Sequence, residues 1–176
     1  MPASDRLDPP LDALAAWHRR GTRFFETMRR LARRAPSVVV DAAARGDADA
    51  VAAYFDRLIA VHCEDEERDL FPALIESMAG SDPVCLREMI EGLTDEHRAL
   101  AAAWRRLRPD FAALAAGTPW ALDAELVDAF IGRCERLFRR EDEELLPMAS
   151  RLLSDEARAA ILAAMLARRR RAPEGR

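Results

Sequence analysis

The stretch LREMIEGLTDEHRALAAAWRRLRPDFAAL, residues 86 to 114, decides the fold. Within it Leu86, Ile90, Leu93, His97, Leu100, Trp104, Leu107, Phe111 and Leu114 recur at alternating steps of four and three, the inward seam of a bundle helix. His97 occupies the middle of that seam, where a hydrocarbon side chain is expected. Two further segments carry the same rhythm and the same anomaly. A first helix gives Leu11, Leu14, His18, Thr22, Phe25 and Met28, and a second gives Val51, Phe55, Leu58, His62, Glu66 and Leu70. His18, His62 and His97 are the 3 histidines of the chain. Seam positions make up about two in seven, so three independent histidines would all fall there roughly one time in forty. The placement predicts a metal site inside a helical bundle.

Composition supports the helical reading. Half of the 176 residues are hydrophobic, glycine is scarce at 7, and no stretch sustains β-branched alternation. Val38-Val39-Val40 is the one β-like run and is too short for a sheet. The length fits one domain, residues 1–176, with a core of about 10–150. All 27 basic residues are arginine against 31 acidic ones, a net charge of -4, so no nucleic-acid binding is expected of the body. The arginines at 168 to 171 are expected to be solvated and favoured by the helix dipole. Cys63, Cys85 and Cys134 form no CxxC and are odd in number, which fits a reducing compartment. The start, MPASDRLDPP, lacks a basic and apolar leader pattern, and no apolar run approaches roughly 18 residues. A soluble cytoplasmic protein without membrane contact is expected.

Breakers divide the chain into four long helices and a short fifth. Pro9-Pro10 precedes the first, Ala35-Pro36 follows it, Gly46-Asp47 precedes the second, Gly80 to Pro83 the third, and Gly117-Thr118-Pro119 opens the fourth. Asp82-Pro83 is expected to cap the third helix, and Ser154-Asp155 the fifth, which covers 154–171 with its basic tail. An all-α, up-down-up-down four-helix bundle follows. In such a bundle, residues equally far from a shared connection lie at one depth, at 1.5 Å per residue. By that count His18, His62 and His97 share a level, which the fourth helix reaches between roughly 137 and 141. Its seam, Val127, Phe130, Cys134, Leu137, Glu141, Leu145 and Met148, turns Glu141 into the same layer.

Three imidazoles and two carboxylates at one depth imply a bound metal, because a buried unpaired carboxylate is costly. Their mixture of nitrogen and oxygen donors suits iron, manganese or zinc. His62 and Glu66, at i and i+4, lie one above the other on a helix face and can reach one ion or neighbouring ions. Cys134 is expected in the core, Cys63 off the seam, and Glu64, Asp65 and Glu67 on a solvated face or orienting imidazoles. Glu144 is near the seam but less well placed than Glu141. Pro72 and Pro147 are expected to end or kink their helices just past the site.

Three motifs sharpen this reading: His62-Cys-Glu-Asp-Glu66 running to Leu70-Phe71-Pro72, then Asp95-Glu96-His97-Arg98-Ala99-Leu100, then Glu141-Asp142-Glu143-Glu144-Leu145-Leu146-Pro147. In this order, with His18 ahead of them, the chain resembles the hemerythrin-like (HHE cation-binding) domain proteins over about residues 10 to 150. The resemblance implies a four-helix bundle with a non-haem di-iron centre, and His18, His62, Glu66, His97 and Glu141 as the matching ligands. It also implies binding or sensing of dioxygen, nitric oxide or peroxide, or iron handling.

One position departs from the pattern. The chain repeats a helix pair, so that counting back from Pro72 and from Pro147 sets Glu66 opposite Glu141 and His62 opposite Leu137. Family members ordinarily carry histidine where Leu137 stands. Two irons, one iron or none are all compatible with that loss, and the alternative to an iron protein is a metal-poor bundle acting as an interaction or regulatory module. A redox or repair enzyme with an open iron position is a third reading. The expected partner of the iron protein is a small diatomic or oxidant.

Overall fold

The computed structural model describes residues 9–34, 39–78, 84–119 and 121–171. The secondary structure there is entirely helical. Helix α1 is Leu11–Ala32 and α3 is Val84–Ala115. Helix α2 runs over 42–77 and α4 over 124–152, each as one rod interrupted by wider turns, and α5 is Asp155–Arg171.

Several boundaries differ from the sequence expectation, each for a local reason. Helix α2 begins at Ala42, before Gly46-Asp47, because the Asp41 side chain accepts from the Ala44 amide at 2.8 Å and caps it there. Gly46 then lies in the open on the helix, where no atom would meet a Cβ within 4 Å. Gly117 closes α3 rather than opening α4. Its φ of 83° carries a paired C-terminal motif in which Gly117 N–H donates to Leu114 O and Thr118 N–H to Ala113 O, both at 2.9 Å. Helix α4 starts at Ala124, where Asp123 accepts from the Glu125 and Leu126 amides at 2.9 and 3.2 Å. Ser154 caps α5 as expected, accepting from Ala157 N–H at 3.2 Å. That helix has 17 residues and buries Ile161 and Met165, so it is a packed element rather than a short appendage. The Asp82-Pro83 cap lies outside the described residues.

Helix α1 packs against α2 and α4, α3 packs against the same two, and α5 lies on the middle of α2. The seam of α1 passes through Gly21 rather than Thr22, which is exposed and bonds Arg19 O. Aromatic residues fill one layer between the rods: Phe55 meets Trp104 and Phe130 at ring separations of 5.3 and 5.0 Å, and Trp104 meets Phe111 at 5.7 Å. The Trp104 indole N–H finds its partner in Asp56 at 2.8 Å. Phe55 precedes His62, and Trp104 follows His97, by two helical turns, so this layer lies about 10 Å from the histidines along the axis. Leu14, Leu74, Leu93 and Leu145 are buried on the far side. The histidine level is thus sealed above and below by hydrocarbon. No helix among the described residues is long and apolar enough to cross a membrane.

Candidate metal centre

All five residues expected at the centre are buried: Glu66 and Glu141 are 0% exposed, His18 and His62 1%, and His97 3%. Each of the four long rods supplies at least one. The depth expectation therefore holds, although α2 starts earlier than its counting assumed. His18 Nε2 lies 3.1 Å from His62 Nε2 and 2.8 Å from Glu141 Oε2. The other Glu141 oxygen, Oε1, lies 3.1 Å from His97 Nε2, so one carboxylate spans the two sides of the cluster. Glu66 Oε2 lies 3.8 Å from His62 Nε2 and 3.2 Å from His97 Nε2. Ligand atoms of His18, His62, Glu66 and Glu141 all fall within 4.8 Å of one another, and His97 stands beside this group against both glutamates.

The far ring nitrogens are anchored outward. His18 Nδ1 meets Asp142 Oδ1 at 2.7 Å and His97 Nδ1 meets Glu67 Oε1 at 2.9 Å, which fixes both ring orientations and turns each Nε2 inward. Glu67 and Asp142 each follow a buried glutamate and stand 75 positions apart, the spacing that relates Pro72 to Pro147. Glu67, expected on a solvated face or orienting an imidazole, does both, being 38% exposed while it holds His97; no such role is expected for Asp142, although the internal repeat pairs it with Glu67. Rings pack the imidazoles further: Phe138 stacks on His18 at 4.6 Å, Phe71 on His97 at 6.0 Å, and Trp17 tilts against His62 at 6.1 Å.

Local helix geometry aims these side chains inward. Three π-helical turns, Leu58–His62, Glu66–Leu70 and Glu141–Leu145, interrupt α2 and α4. In them Cys63 N–H donates to Leu58 O, Phe71 N–H to Glu66 O and Leu146 N–H to Glu141 O, each five residues back. Each turn begins or ends on a buried ionisable residue. The helices do not end at Pro72 and Pro147 but continue to Ser77 and Leu152. A missing proline N–H does little harm beside a turn whose regular bonding is already interrupted. Hydrophobic periodicity gives no sign of such turns. The repeated glutamate-to-proline spacing is the one sequence feature that coincides with two of them.

Electrostatics follow from this crowding. Burial opposes a charge on His18, but the hydrogen bonds to Asp142 and Glu141 outweigh it and push the pKa up to about 10. His97 is also raised, burial again being overcome by Glu141, Glu66 and Glu67. Burial would raise Glu141, yet His18, His62 and His97 hold it well below the ordinary carboxylate range. Glu66 is less well served. The single N–H that His97 Nε2 can offer inward is directed at Glu141 Oε1, and both Glu66 oxygens are buried without a hydrogen-bond partner, as are Glu141 Oε2 and His62 Nδ1. An orphaned carboxylate among imidazoles is the donor set of a transition-metal site, so the residues present fit a metal.

Other expectations resolve individually. Leu137 is 2% exposed, one turn before Glu141, and the helix around it is regular. Glu143 and Glu144 are exposed, leaving Glu141 as the inward glutamate of its run. Cys134 is buried in the core. Cys63 is also buried, and burial pushes its thiol up to about 12, which keeps it protonated and unreactive. Asp65 belongs to no solvated face, because it is 0% exposed. Nor are Arg168 and Arg169 solvated: both guanidiniums bind Asp65.

A helical protein with buried, outward-anchored histidines and paired glutamates at one level belongs to the class built around a bound cation. Residues 9–149 match the hemerythrin HHE cation-binding domain, and the chain belongs to that family. No curated protein matches it.

Proposed function

We propose that the protein binds iron through His18, His62, Glu66, His97 and Glu141, as a carboxylate-bridged pair, and binds or senses dioxygen, nitric oxide or peroxide, or handles iron. The observation that carries this reading is Glu66, whose two buried oxygens have no hydrogen-bond partner. His18, His62 and His97 would hold the metal by their Nε2 atoms, with Glu66 and Glu141, each in reach of imidazoles on both sides of the cluster, supplying the carboxylates. Asp142 and Glu67 hold the imidazoles to their inward tautomers, and the hydrocarbon layers above and below limit water. Iron bound there would supply reversible redox chemistry and affinity for small diatomic ligands or peroxide.

The four long rods are read as an up-down-up-down bundle. Contact of Arg30 with Asp47, and of His18 with His62, supports antiparallel α1 and α2, since higher numbers on one meet lower numbers on the other. A cytoplasmic setting with no nucleic-acid partner is part of the same proposal, consistent with the net charge of -4.

Leu137 favours a second reading. It places hydrocarbon where the repeat calls for a nitrogen ligand, which suits a metal-poor bundle serving as an interaction or regulatory module. Anaerobic loading with ferrous iron followed by air oxidation separates the two. Near-ultraviolet absorption that develops in the wild type and is lost in His97→Ala is expected for the iron protein. A wild type that stays colourless contradicts it.

A further inference from the structure

Helix α5 lies beyond the family match, which ends at residue 149, yet it reaches back to the ligand layer. Arg168 Nη1 donates to Asp65 Oδ1 and, at 2.8 Å, to Asp69 Oδ2, while its Nε stands 3.4 Å from Glu64 Oε2. Arg169 Nη2 donates to Asp65 Oδ2 at 2.7 Å. Asp65 is fully buried and Asp69 is 13% exposed, so this is not a surface ion pair. The acids bracket Glu66: Asp65 immediately precedes it, and Asp69 lies within the π turn that Glu66 opens.

We propose that Arg168 and Arg169 are positioning residues for the metal centre, holding through Asp65 and Asp69 the π turn that aims Glu66. A π turn contains one residue more than the α turn it replaces, and relaxation to α geometry rotates one side of the helix against the other by about 100°. Such a rotation would take either Glu66 or the Leu70-Phe71 pair off the inward face. On the α3 side, Glu67, itself partly exposed, ties the turn to His97. On the α5 side, the tie is the guanidinium of Arg168, whose Nη1 donates to carboxylates one residue before and three residues after Glu66 while its Nε faces Glu64. The register that Glu66 needs therefore depends on a helix outside the matched domain.

This inference rests on the metal reading proposed above, and the test separates the two. Full-length wild type and the Arg168→Gln/Arg169→Gln double variant are compared metal-free by hydrogen exchange, and then by titration with Co(II) and Fe(II). Amides 66–71 are expected to exchange about tenfold faster or more in the variant, with α1 and α3 unchanged. Metal affinity is expected to fall about tenfold or more. Arg168→Lys, which keeps the charge but not the fork, should restore affinity only in part. If the double variant does not fold, Asp69→Asn carries the test, because it leaves Asp65 paired, and loss in the same direction is expected. Unchanged exchange and affinity beside a metal-binding wild type overturn this inference alone. A wild type that takes up neither ion overturns the metal reading and this inference together.

Discussion

The Nε2 atoms of His18 and His62 face each other across 3.1 Å, from helices that approach closely because Gly21, one turn further along α1, has no side chain. A Cβ at Gly21 would meet the Tyr54 hydroxyl at 2.9 Å and Phe138 Cε2 at 3.0 Å. Neither neighbour is free to retreat: the Tyr54 hydroxyl donates to Trp17 O at 2.5 Å, and Phe138 is stacked on His18. The glycine thus sets the spacing on which the imidazole pair depends.

Gly21→Ala is therefore expected to destabilise the protein by about 1–3 kcal/mol through overpacking. At an open helix site the same change would gain about 1 kcal/mol. Chemical denaturation decides the sign, and a stabilised variant would show that α1 and α2 are not in tight contact at this level. Metal affinity should fall as well, because His18 moves with α1.

Glu66→Leu is expected to separate stability from binding. Neither Glu66 oxygen has a hydrogen-bond partner, but Oε2 stands 3.2 Å from His97 Nε2, so the relief of removing a buried carboxylate is offset by the loss of that ion pair and the metal-free fold should change by less than about 1 kcal/mol. The same variant should lose metal binding. Paired denaturation and metal titration check this, and a variant that is destabilised yet still binds metal fully would place the site elsewhere.

Leu137→His supplies the ligand that the repeat predicts at that position. Iron content per chain should rise, or the weaker of two binding steps should tighten, in titrations against the wild type. An intact fold with unchanged metal content would show that residue 137 does not face the ions.

The helical class and the five buried residues of the candidate centre were legible in the sequence because a histidine or glutamate in a seam of leucines breaks a regular rhythm. His18, Glu66 and Glu141 each stand out in the seam of their own helix for that reason alone. Boundaries were less legible. Asp41 and Asp123 cap their helices through side-chain bonds that override nearby glycines, so α2 starts before Gly46 and α4 well after Gly117. Asp65 was misjudged because its partners, Arg168 and Arg169, lie about a hundred residues away and were themselves expected to be solvated. Periodicity assigns a charge to a face but does not reveal a second helix covering it. The π turns were hidden for a related reason: the inserted residue makes successive seam steps fours, as in His62, Glu66, Leu70 and Leu74, and a step of four still scans as α-helix.

Iron stoichiometry is the most direct test of the centre. Untagged protein expressed in iron-supplemented medium would be analysed for metal per chain before and after anaerobic ferrous reconstitution. About two irons per chain, the second bound more weakly than the first, is the predicted result, from the two glutamates proposed to bridge and the leucine at 137. A chain that holds no iron after reconstitution would contradict the proposed centre.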